Sequence, residues 1–165
     1  MKIAILGNVH NDGWEVLKEN KFEYFEVTNF DENNLKIQLA DVDAILLRTS
    51  KLNANILSNC KNLKIIARHG VGYDNVDLDY LNKNKIALGI TGTSNSVSVA
   101  EHVLTSFLYL TKNIHLSDKL TREGNFKNKS SLPNFFELYQ KNVLILGFGR
   151  IGKEVAKRCK GFDTN

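Results

Sequence analysis

The sequence predicts an α/β fold built on a parallel β-sheet, and two observations support this prediction. First, short apolar runs alternate with amphipathic segments from residue 1 to about residue 92. This alternation is typical of a parallel sheet with helices on both faces. Second, an apolar run near the end of the chain passes directly into a glycine-rich turn and then into another amphipathic segment. That order is typical of a strand, tight turn and helix in a doubly wound α/β domain.

The individual elements of the first part follow from its hydrophobic pattern. The pattern predicts strands at 2–6, 22–28, 44–47, 63–68 and 86–90, and helices at 13–19, 35–39, 53–58 and 78–82. Asp31 and Asn53 stand where helix N-caps belong, because their short polar side chains can accept hydrogen bonds from a first helical turn. One α/β lobe of about five strands is therefore expected.

A long helix is predicted from residue 94 to about residue 118. The sequence Ser98-Val99-Ala100-Glu101 fits a capping box. The wide apolar face of this helix contains Ala100, Val103, Leu104, Phe107, Leu108, Leu110 and Ile114. We interpret the helix as the connection between two lobes and as a subunit contact, with ordinary core burial as the alternative. The polar segment 123–140 is predicted to be a surface loop.

The composition of the chain narrows the class of protein. Its 165 residues are 42% hydrophobic and 24% charged, as in soluble globular chains, and a net charge of +4 is spread without a basic block. A nucleic-acid ligand is therefore not expected. The first apolar run is too short for a signal peptide, and no run is long enough for a membrane span. Cys60 and Cys159 suit reduced thiols in the cytoplasm, and neither a disulfide nor a metal site is expected.

The glycine-rich turn near the end of the chain has the spacing Gly-x-Gly-x-x-Gly. Residues 143–146 are all apolar and predict a strand buried on both faces, and a helix is predicted from 151 to 160. Gly147 permits a tight turn, Gly149 lets a pyrophosphate approach the backbone, and Gly152 lets the helix pack closely on the strand. The motif predicts dinucleotide binding, with a ligand-free strand-to-helix turn as the alternative.

The acidic residue that holds the adenosine ribose in such domains is expected about 20 residues beyond the first glycine. The sequence stops at Asn165, before that position, and Asp163 lies too early, so we interpret Asp163 as a turn residue. The nucleotide-binding lobe is therefore expected to be incomplete within these 165 residues, and the choice between NAD and NADP stays open.

A second candidate site lies in the first lobe, where Gly7 is not followed by the other glycines of a nucleotide motif. Ligands of open α/β sheets collect at the carboxyl ends of strands, which directs attention to segments 48–50 and 68–75. Gly70 and Gly72 leave the backbone amides around Val71 uncovered, and such a turn can bind a carboxylate. The alternative for Arg48 and Arg68 is a solvated strand end.

Three segments together resemble the NAD-dependent D-isomer-specific 2-hydroxyacid dehydrogenases, and among them the D-3-phosphoglycerate dehydrogenase-like members. They read Arg-His-Gly-Val-Gly-Tyr-Asp-Asn-Val-Asp at 68–77, Asn-Ser-Val-Ser-Val-Ala-Glu-His at 95–102, and Leu-Gly-Phe-Gly-Arg-Ile-Gly at 146–152. Two positions depart from the family pattern. Residues 90–92 are Ile-Thr-Gly where Asn-Thr-Pro is usual, and Gln140 stands where a glycine commonly precedes the nucleotide strand.

The resemblance implies two lobes. Residues 1–95 would form a flavodoxin-like parallel-sheet lobe that binds substrate. Residues 96–165 would form the inter-lobe helix and the first strand, turn and helix of a Rossmann lobe that binds NAD. A cytoplasmic homodimer formed through the 96–118 helix is expected, with no nucleic-acid or membrane partner.

The resemblance also assigns candidate residues, although no catalytic residue can be named. Val71 would lie near the nicotinamide, the amides of Val71 and Gly72 with Arg48 would hold the substrate carboxylate, and Arg150 and Ile151 would present N–H groups to the pyrophosphate. Val99 would lie where the inter-lobe helix approaches the cofactor. The family's catalytic arginine and its carboxylate-histidine pair fall beyond residue 165. The chain's own histidines, interpreted as structural, are His10, His69, His102 and His115.

We therefore predict an oxidoreductase that transfers a hydride between NAD and a small D-2-hydroxy acid or its 2-keto form. The 3-phosphoglycerate, hydroxypyruvate and glyoxylate types are all compatible. The 165 residues alone are expected to show no turnover, because the acid-base residue is not among them, and little NAD affinity, because the ribose-binding acid and the nicotinamide floor are not among them either. The alternative is a non-catalytic module, truncated or regulatory, that binds a nucleotide or a partner subunit.

Overall fold

The computed structural model describes all 165 residues, and these form two compact units, Met1–Gly92 and Thr93–Asn165. No helix in either unit is both long and apolar enough to cross a membrane.

The first unit contains a five-stranded parallel sheet. Its elements in chain order are β1 Lys2–Leu6, α1 Asn11–Glu19, β2 Glu23–Glu26, α2 Glu32–Gln38, β3 Ala44–Leu47, α3 Ala54–Leu57, β4 Ile65–Arg68, α4 Leu78–Asn84 and β5 Ala87–Ile90. The strand order is β2-β1-β3-β4-β5, and all four strand pairs are parallel. This is the flavodoxin-like order. The predicted parallel α/β fold is confirmed, although β2 is shorter than the apolar run suggested.

Alternate residues of the strands face two different layers. On one face Leu6, Ile45 and Ile66 pack with the apolar sides of α2, α3 and α4 in the main core. On the other face Ile3 and Ile5 pack against α1 in a smaller core. Helix α1 covers only part of this second face, so the β4–β5 side of the sheet stays open there.

Helix capping in this unit matches the sequence prediction at one position and not at the other. The Asn53 side chain accepts a hydrogen bond from the Ile56 amide at the start of α3, as predicted. Asp31 precedes α2 with an extended backbone, but its side chain accepts no capping hydrogen bond. Asp77, which the sequence prediction passed over, caps α4 by accepting from the Tyr80 amide.

The second unit is helical. It contains α5 Ser96–Thr111, α6 Ile114–Arg122, α7 Arg150–Cys159 and two short 3-10 helices at Phe126–Ser131 and Lys160–Phe162. The single predicted helix 94–118 is wrong, because Asn113 adopts the left-handed conformation with φ 47° and breaks it. The predicted capping box is also wrong, since α5 begins at Ser96 and places Ser98 inside the helix.

The small core of this unit lies between α5 and α7. Its buried members are Ala100, Leu104, Leu138, Val155 and Cys159. The apolar face predicted for the long helix is only partly buried, because Leu110 remains 69% exposed. The segment 123–140 lies at the surface with the exception of Leu138, and it includes the first 3-10 helix.

The strand predicted at 143–146 is not formed, which corrects the expectation of a strand buried on both faces. Leu144 and Leu146 are 83% and 88% exposed. Val143 donates to the Asn165 carbonyl and Asn165 donates to the Lys141 carbonyl, each at 2.9 Å, which is a parallel pairing of a single residue. No other backbone pairs with the segment, so the rest of its edges and one face have no partner.

Candidate functional site

The glycine turn of the second unit joins the extended segment 143–146 to α7. Gly147 has φ 97°, a left-handed conformation that suits only glycine. At Gly149 an added Cβ would have no heavy atom within 4 Å, so the space beside this residue is open. At Gly152 an added Cβ would lie 2.3 Å from the Gly147 carbonyl oxygen, so the helix could not pack here with a larger residue.

The turn places the amino end of α7 beside this open space. Gly149 is the N-cap residue, and the first turn of the helix contains no acidic side chain. A helix leaves the N–H groups of its first turn without acceptors inside the helix, and its dipole is positive at this end. The open space beside Gly149 is therefore suited to an anionic group.

Helix α7 is fastened to α5 by an ion pair as well as by apolar packing. The Arg158 guanidinium lies 2.6 Å from Glu154 of its own helix and 3.5 Å from Glu101 of α5. Hydrogen bonding to Glu154, and less strongly to Glu101, raises the pKa of Arg158 above its ordinary value. This contact fixes the helix that carries the turn.

The departures from the family pattern have visible structural consequences. Gln140, where a glycine is usual, has φ 55°, a conformation that costs a side-chain-bearing residue about 1–2 kcal/mol. Gly92 has φ 60°, which the proline usual at this position could not adopt. The backbone at 90–92 is therefore locally different from an Asn-Thr-Pro segment.

The second candidate site is a turn after β4, here called the amide turn and defined as residues 70–74. Gly70 has φ 154°, whereas Gly72 is not left-handed. The four backbone N–H groups from Val71 to Asp74 donate to no protein acceptor. Gly72, Tyr73 and Asp74 are exposed, and Val71 is half-buried. Consecutive free N–H groups in a turn can present an anion-binding concavity.

Arg48 follows β3 and has no acidic partner. Its backbone N–H donates to the Leu6 carbonyl, and its exposed guanidinium makes one long contact of 3.5 Å with the Asn8 carbonyl. Gly7 has φ 115°, and an added Cβ there would lie 2.8 Å from the Arg48 Cβ. The sequence prediction missed this role of Gly7, which lets the chain after β1 pass close to Arg48.

Arg68 differs from a solvated strand end. Its Nη1 donates to the His69 carbonyl, while its Nε is buried and has no partner. Arg68 and His69 line a cavity of about 430 Å³ on the open side of the sheet. The floor of the cavity is a row of residues of decreasing size on three adjacent strands, Leu46, Ala67 and Gly89. The sequence prediction did not identify this cavity.

Comparison with known proteins decides the family. Residues 3–162 match the model of the D-isomer specific 2-hydroxyacid dehydrogenase, catalytic domain. The chain belongs to this family. The D-3-phosphoglycerate dehydrogenase of Archaeoglobus fulgidus is 31% identical over 166 residues, which cover 100% of this chain and 31% of that protein. The glyoxylate reductase of Pyrococcus furiosus is 31% identical over 174 residues, which cover 98% of this chain and 51% of that protein.

The chain is also similar to a solved structure. The NAD-dependent formate dehydrogenase of Staphylococcus aureus, in complex with NAD, is 30% identical and has a TM-score of 0.79. The match covers 100% of this chain and 55% of that one. This chain therefore spans between about three tenths and about half the length of these relatives.

Other histidine and cysteine side chains of the chain make structural contacts or are buried. The His10 side chain accepts a hydrogen bond from the Asp12 amide and caps α1. His115 stacks on Tyr109 with 5.5 Å between ring centroids. Burial raises the pKa of the Cys60 thiol to about 11, which keeps it unreactive. No cluster of three or more histidine, cysteine, aspartate or glutamate side chains could hold a metal ion.

The glycine turn gives a paired prediction on stability. Gly152→Ala should lower the free energy of unfolding by about 1–3 kcal/mol, because the new Cβ meets the Gly147 carbonyl. Gly149→Ala should lower it by at most about 1 kcal/mol, because its Cβ enters open space and only the N-cap preference for glycine over alanine is lost. Urea denaturation of both variants measures the difference, and equal effects would contradict the geometry described for the turn.

Proposed function

We propose that this chain supplies the cofactor-binding and carboxylate-binding turns of an NAD-dependent D-2-hydroxyacid dehydrogenase. The observation that carries the proposal is the amide turn, where four consecutive N–H groups lack acceptors, two residues from Arg68 and in the same unit as Arg48. The glycine turn of the second unit supplies a separate anion site. Family membership supports the assignment of both sites to one reaction.

The cofactor is proposed to be NAD, although the structure leaves NADP open. Gly147, Gly149 and Gly152 would shape the turn, and Arg150 and Ile151 at the start of α7 would present N–H groups to the pyrophosphate. The open space beside Gly149 supports this placement. Val71 is proposed to lie near the nicotinamide. When bound, the nicotinamide supplies the hydride acceptor or donor.

The substrate is proposed to be a small D-2-hydroxy acid or the corresponding 2-keto acid. The free amides of Val71 and Gly72 would donate hydrogen bonds to its carboxylate. Arg48, which has no acidic partner, would add positive charge. The relatives act on different acids, as the names D-3-phosphoglycerate dehydrogenase and glyoxylate reductase state. Their shared feature is a carboxylate beside the reacting carbon, and the amide turn fits that feature.

The division of labour between the units is also a proposal. Residues 1–95 would bind substrate, and residues 96–165 would begin the nucleotide-binding lobe. The clustering of contacts on either side of Gly92 supports such a division. No catalytic residue is assigned, since His10 caps a helix and His69 has no carboxylate partner. The acid-base group of the reaction is proposed to be supplied by the whole protein and is not assigned to any of these 165 residues.

A second candidate function is a module that binds a nucleotide or a partner without catalysis. The exposed apolar residues of the second unit favour it, because Leu110, Leu144 and Leu146 are each more than two thirds exposed. Under this alternative the glycine turn would still bind an anion, and the amide turn would have no role in turnover.

Oligomerisation is proposed to use the region 96–118 as a homodimer contact in the cytoplasm. Tyr109, Leu110 and Ile114 are 42%, 69% and 44% exposed, and they lie along α5 and the start of α6. Apolar surface of this kind is typical of subunit contacts.

The cofactor proposal predicts a local effect of Gly149→Val. NMR titration of the chain with NAD should shift the amides of residues 148–152, with weak affinity. Gly149→Val should weaken this binding at least tenfold, because a branched side chain fills the open space. Gly161→Val is the matched control, since its Cβ is also unobstructed but lies beyond α7. Equal affinities in wild type and Gly149→Val would contradict the assignment.

The substrate proposal predicts that pyruvate shifts the amides of Val71 and Gly72. Arg48→Ala should weaken pyruvate binding about five- to tenfold, because a charged hydrogen-bond donor is lost, and should leave the NAD shifts unchanged. Lys51→Ala removes a nearby exposed charge of the same loop and should have little effect. If Arg48→Ala lost affinity for pyruvate and for NAD to the same extent, this would indicate misfolding instead of a lost contact.

The dimer proposal predicts that Leu110→Lys shifts the protein toward monomer in sedimentation velocity experiments. Burying an added charge in an apolar contact is costly. Ile37→Lys, which alters a residue of α2 that is 76% exposed, should leave the sedimentation coefficient unchanged. A monomeric wild type, or identical behaviour of the two variants, would refute the proposed contact.

A further inference from the structure

Two loops that carry the proposed substrate-binding groups run side by side in the first unit. The Arg48 loop, residues 48–53, leads from β3 to α3. The amide turn leads from β4 into a short connecting segment, residues 75–77, which ends at α4. Nothing in the sequence links these loops, since they are separated by the whole of α3 and β4. In the structure, residues 75–77 join them through hydrogen bonds to the Arg48 loop.

The backbone contacts form a short parallel pairing. Leu52 donates to the Asn75 carbonyl at 2.9 Å, and Asp77 donates to the Leu52 carbonyl at 3.1 Å. Leu52 and Val76 are thereby paired as a single parallel bridge. Leu52 is 0% and Val76 7% exposed, and both belong to the main core. The bridge is consequently anchored to the sheet.

Two polar side chains extend this link. The Asn75 Nδ2 donates to the Ser50 carbonyl at 2.8 Å, which ties the connecting segment to the Arg48 loop two residues from Arg48. The Asp77 carboxylate binds two helices at once. Its Oδ1 accepts from the Tyr80 amide of α4 at 3.0 Å, and its Oδ2 accepts from the Ala54 amide of α3 at 3.2 Å.

The amide turn is held at its ends and free in its middle. The Gly70 carbonyl accepts from the Thr91 amide at 3.1 Å, and the Tyr73 carbonyl accepts from the Val76 amide at 3.0 Å. Between these anchors the amides of Val71 and Gly72 have no acceptor. Asn75 and Asp77, on either side of Val76, are hydrogen-bonded to Leu52 of the Arg48 loop, so the position of the free amides relative to that loop depends on residues 75–77.

We propose that Asn75 and Asp77 are positioning residues that hold the free amides of Val71 and Gly72 in register with the Arg48 loop. This inference rests on the proposed carboxylate site and deepens it. Neither side chain is proposed to touch the substrate. Their effect is to fix the geometry in advance, so that a carboxylate meets amides and guanidinium without having to order the two loops when it binds.

The hydrogen bonds of Asn75 allow its effect on carboxylate affinity to be measured separately from its effect on stability. Its Nδ2 is bound to Ser50, but its Oδ1 is buried without any partner. Asn75→Ala removes a favourable donor together with an unfavourable unpaired acceptor, so the two effects on stability oppose each other. The backbone bridge and both caps of Asp77 remain. A residue with only a structural role would therefore leave carboxylate affinity unchanged in this variant.

Asp77→Asn tests the double cap by a near-isosteric change. A carboxylate offers two acceptor oxygens, whereas an amide side chain offers one oxygen and a donor group. The variant can therefore cap α3 or α4 but not both. We expect it to lose stability as well as carboxylate affinity, which distinguishes it from Asn75→Ala.

Asn84→Ala provides a matched control. The Asn84 Nδ2 donates to the Tyr80 carbonyl at 2.8 Å, so it makes a bond of the same kind and length as Asn75. It lies at the end of α4, outside both loops. Any general effect of removing an asparagine side chain from this unit would appear in this variant too.

The experiment is an NMR titration of the 165-residue chain and its variants with pyruvate, combined with thermal denaturation. Asn75→Ala should weaken pyruvate binding at Val71 and Gly72 about three- to tenfold, with a melting temperature close to that of the wild type. The resonances of Val71 and Gly72, which lie three or more residues from the substitution, should already differ from wild type before pyruvate is added. Asn84→Ala should match wild type in both respects.

Wild-type affinity and unchanged turn resonances in Asn75→Ala would overturn the inference. A failure of the proposed function has a different signature, because wild-type chain would then show no pyruvate shift at Val71 and Gly72. In that case the ligand-free resonances of Val71 and Gly72, which lie three or more residues from the substitution, still decide the matter. A change in Asn75→Ala but not in Asn84→Ala upholds the positioning role, and no change in either refutes it.

Discussion

The structure depends on one constraint, which is that a parallel strand needs hydrogen-bonded neighbours on its edges and apolar cover on its faces. In the first unit β1, β3 and β4 each have two neighbours, and Ile45 and Ile66 are wholly buried between them. In the second unit the segment 143–146 pairs at a single residue and leaves Leu144 and Leu146 in solvent. The same requirement therefore explains the well-ordered sheet of one unit and the missing strand of the other.

The two candidate sites use backbone chemistry more than side-chain chemistry. Both present backbone N–H groups to solvent-facing space, as consecutive acceptor-free amides in the amide turn and as the first turn of a helix at the amino end of α7. Such sites need a particular backbone path, which glycines at 70, 147 and 152 permit. Side chains around them can vary with little effect on the donors.

Much of the fold could be predicted from the sequence because local patterns report burial directly. The apolar runs at 2–6 and 44–47 became β1 and β3 with the predicted bounds. The same signal failed at 143–146, since an apolar run shows only that a strand would be stable if it had neighbours. The helix break at Asn113 was not predictable from periodicity either. Asparagine tolerates the left-handed conformation, and its side chain contacts the carbonyls of residues 133 and 134, far along the chain.

The residues of the two candidate sites could be proposed from the sequence, but the residues that hold the binding loops in place could not. Glycines close to arginine or lysine in the sequence indicate a turn that can bind an anion. Glycine leaves the backbone amides uncovered, and the cation adds positive charge. Gly7, Asn75 and Asp77 gave no such signal, since their roles arise only when distant loops meet. Gly7 makes room for Arg48, and Asp77 joins two helices through one carboxylate. A turn that binds an anion needs backbone N–H donors that are free of other acceptors and fixed in position. The local sequence indicates only the first of these properties.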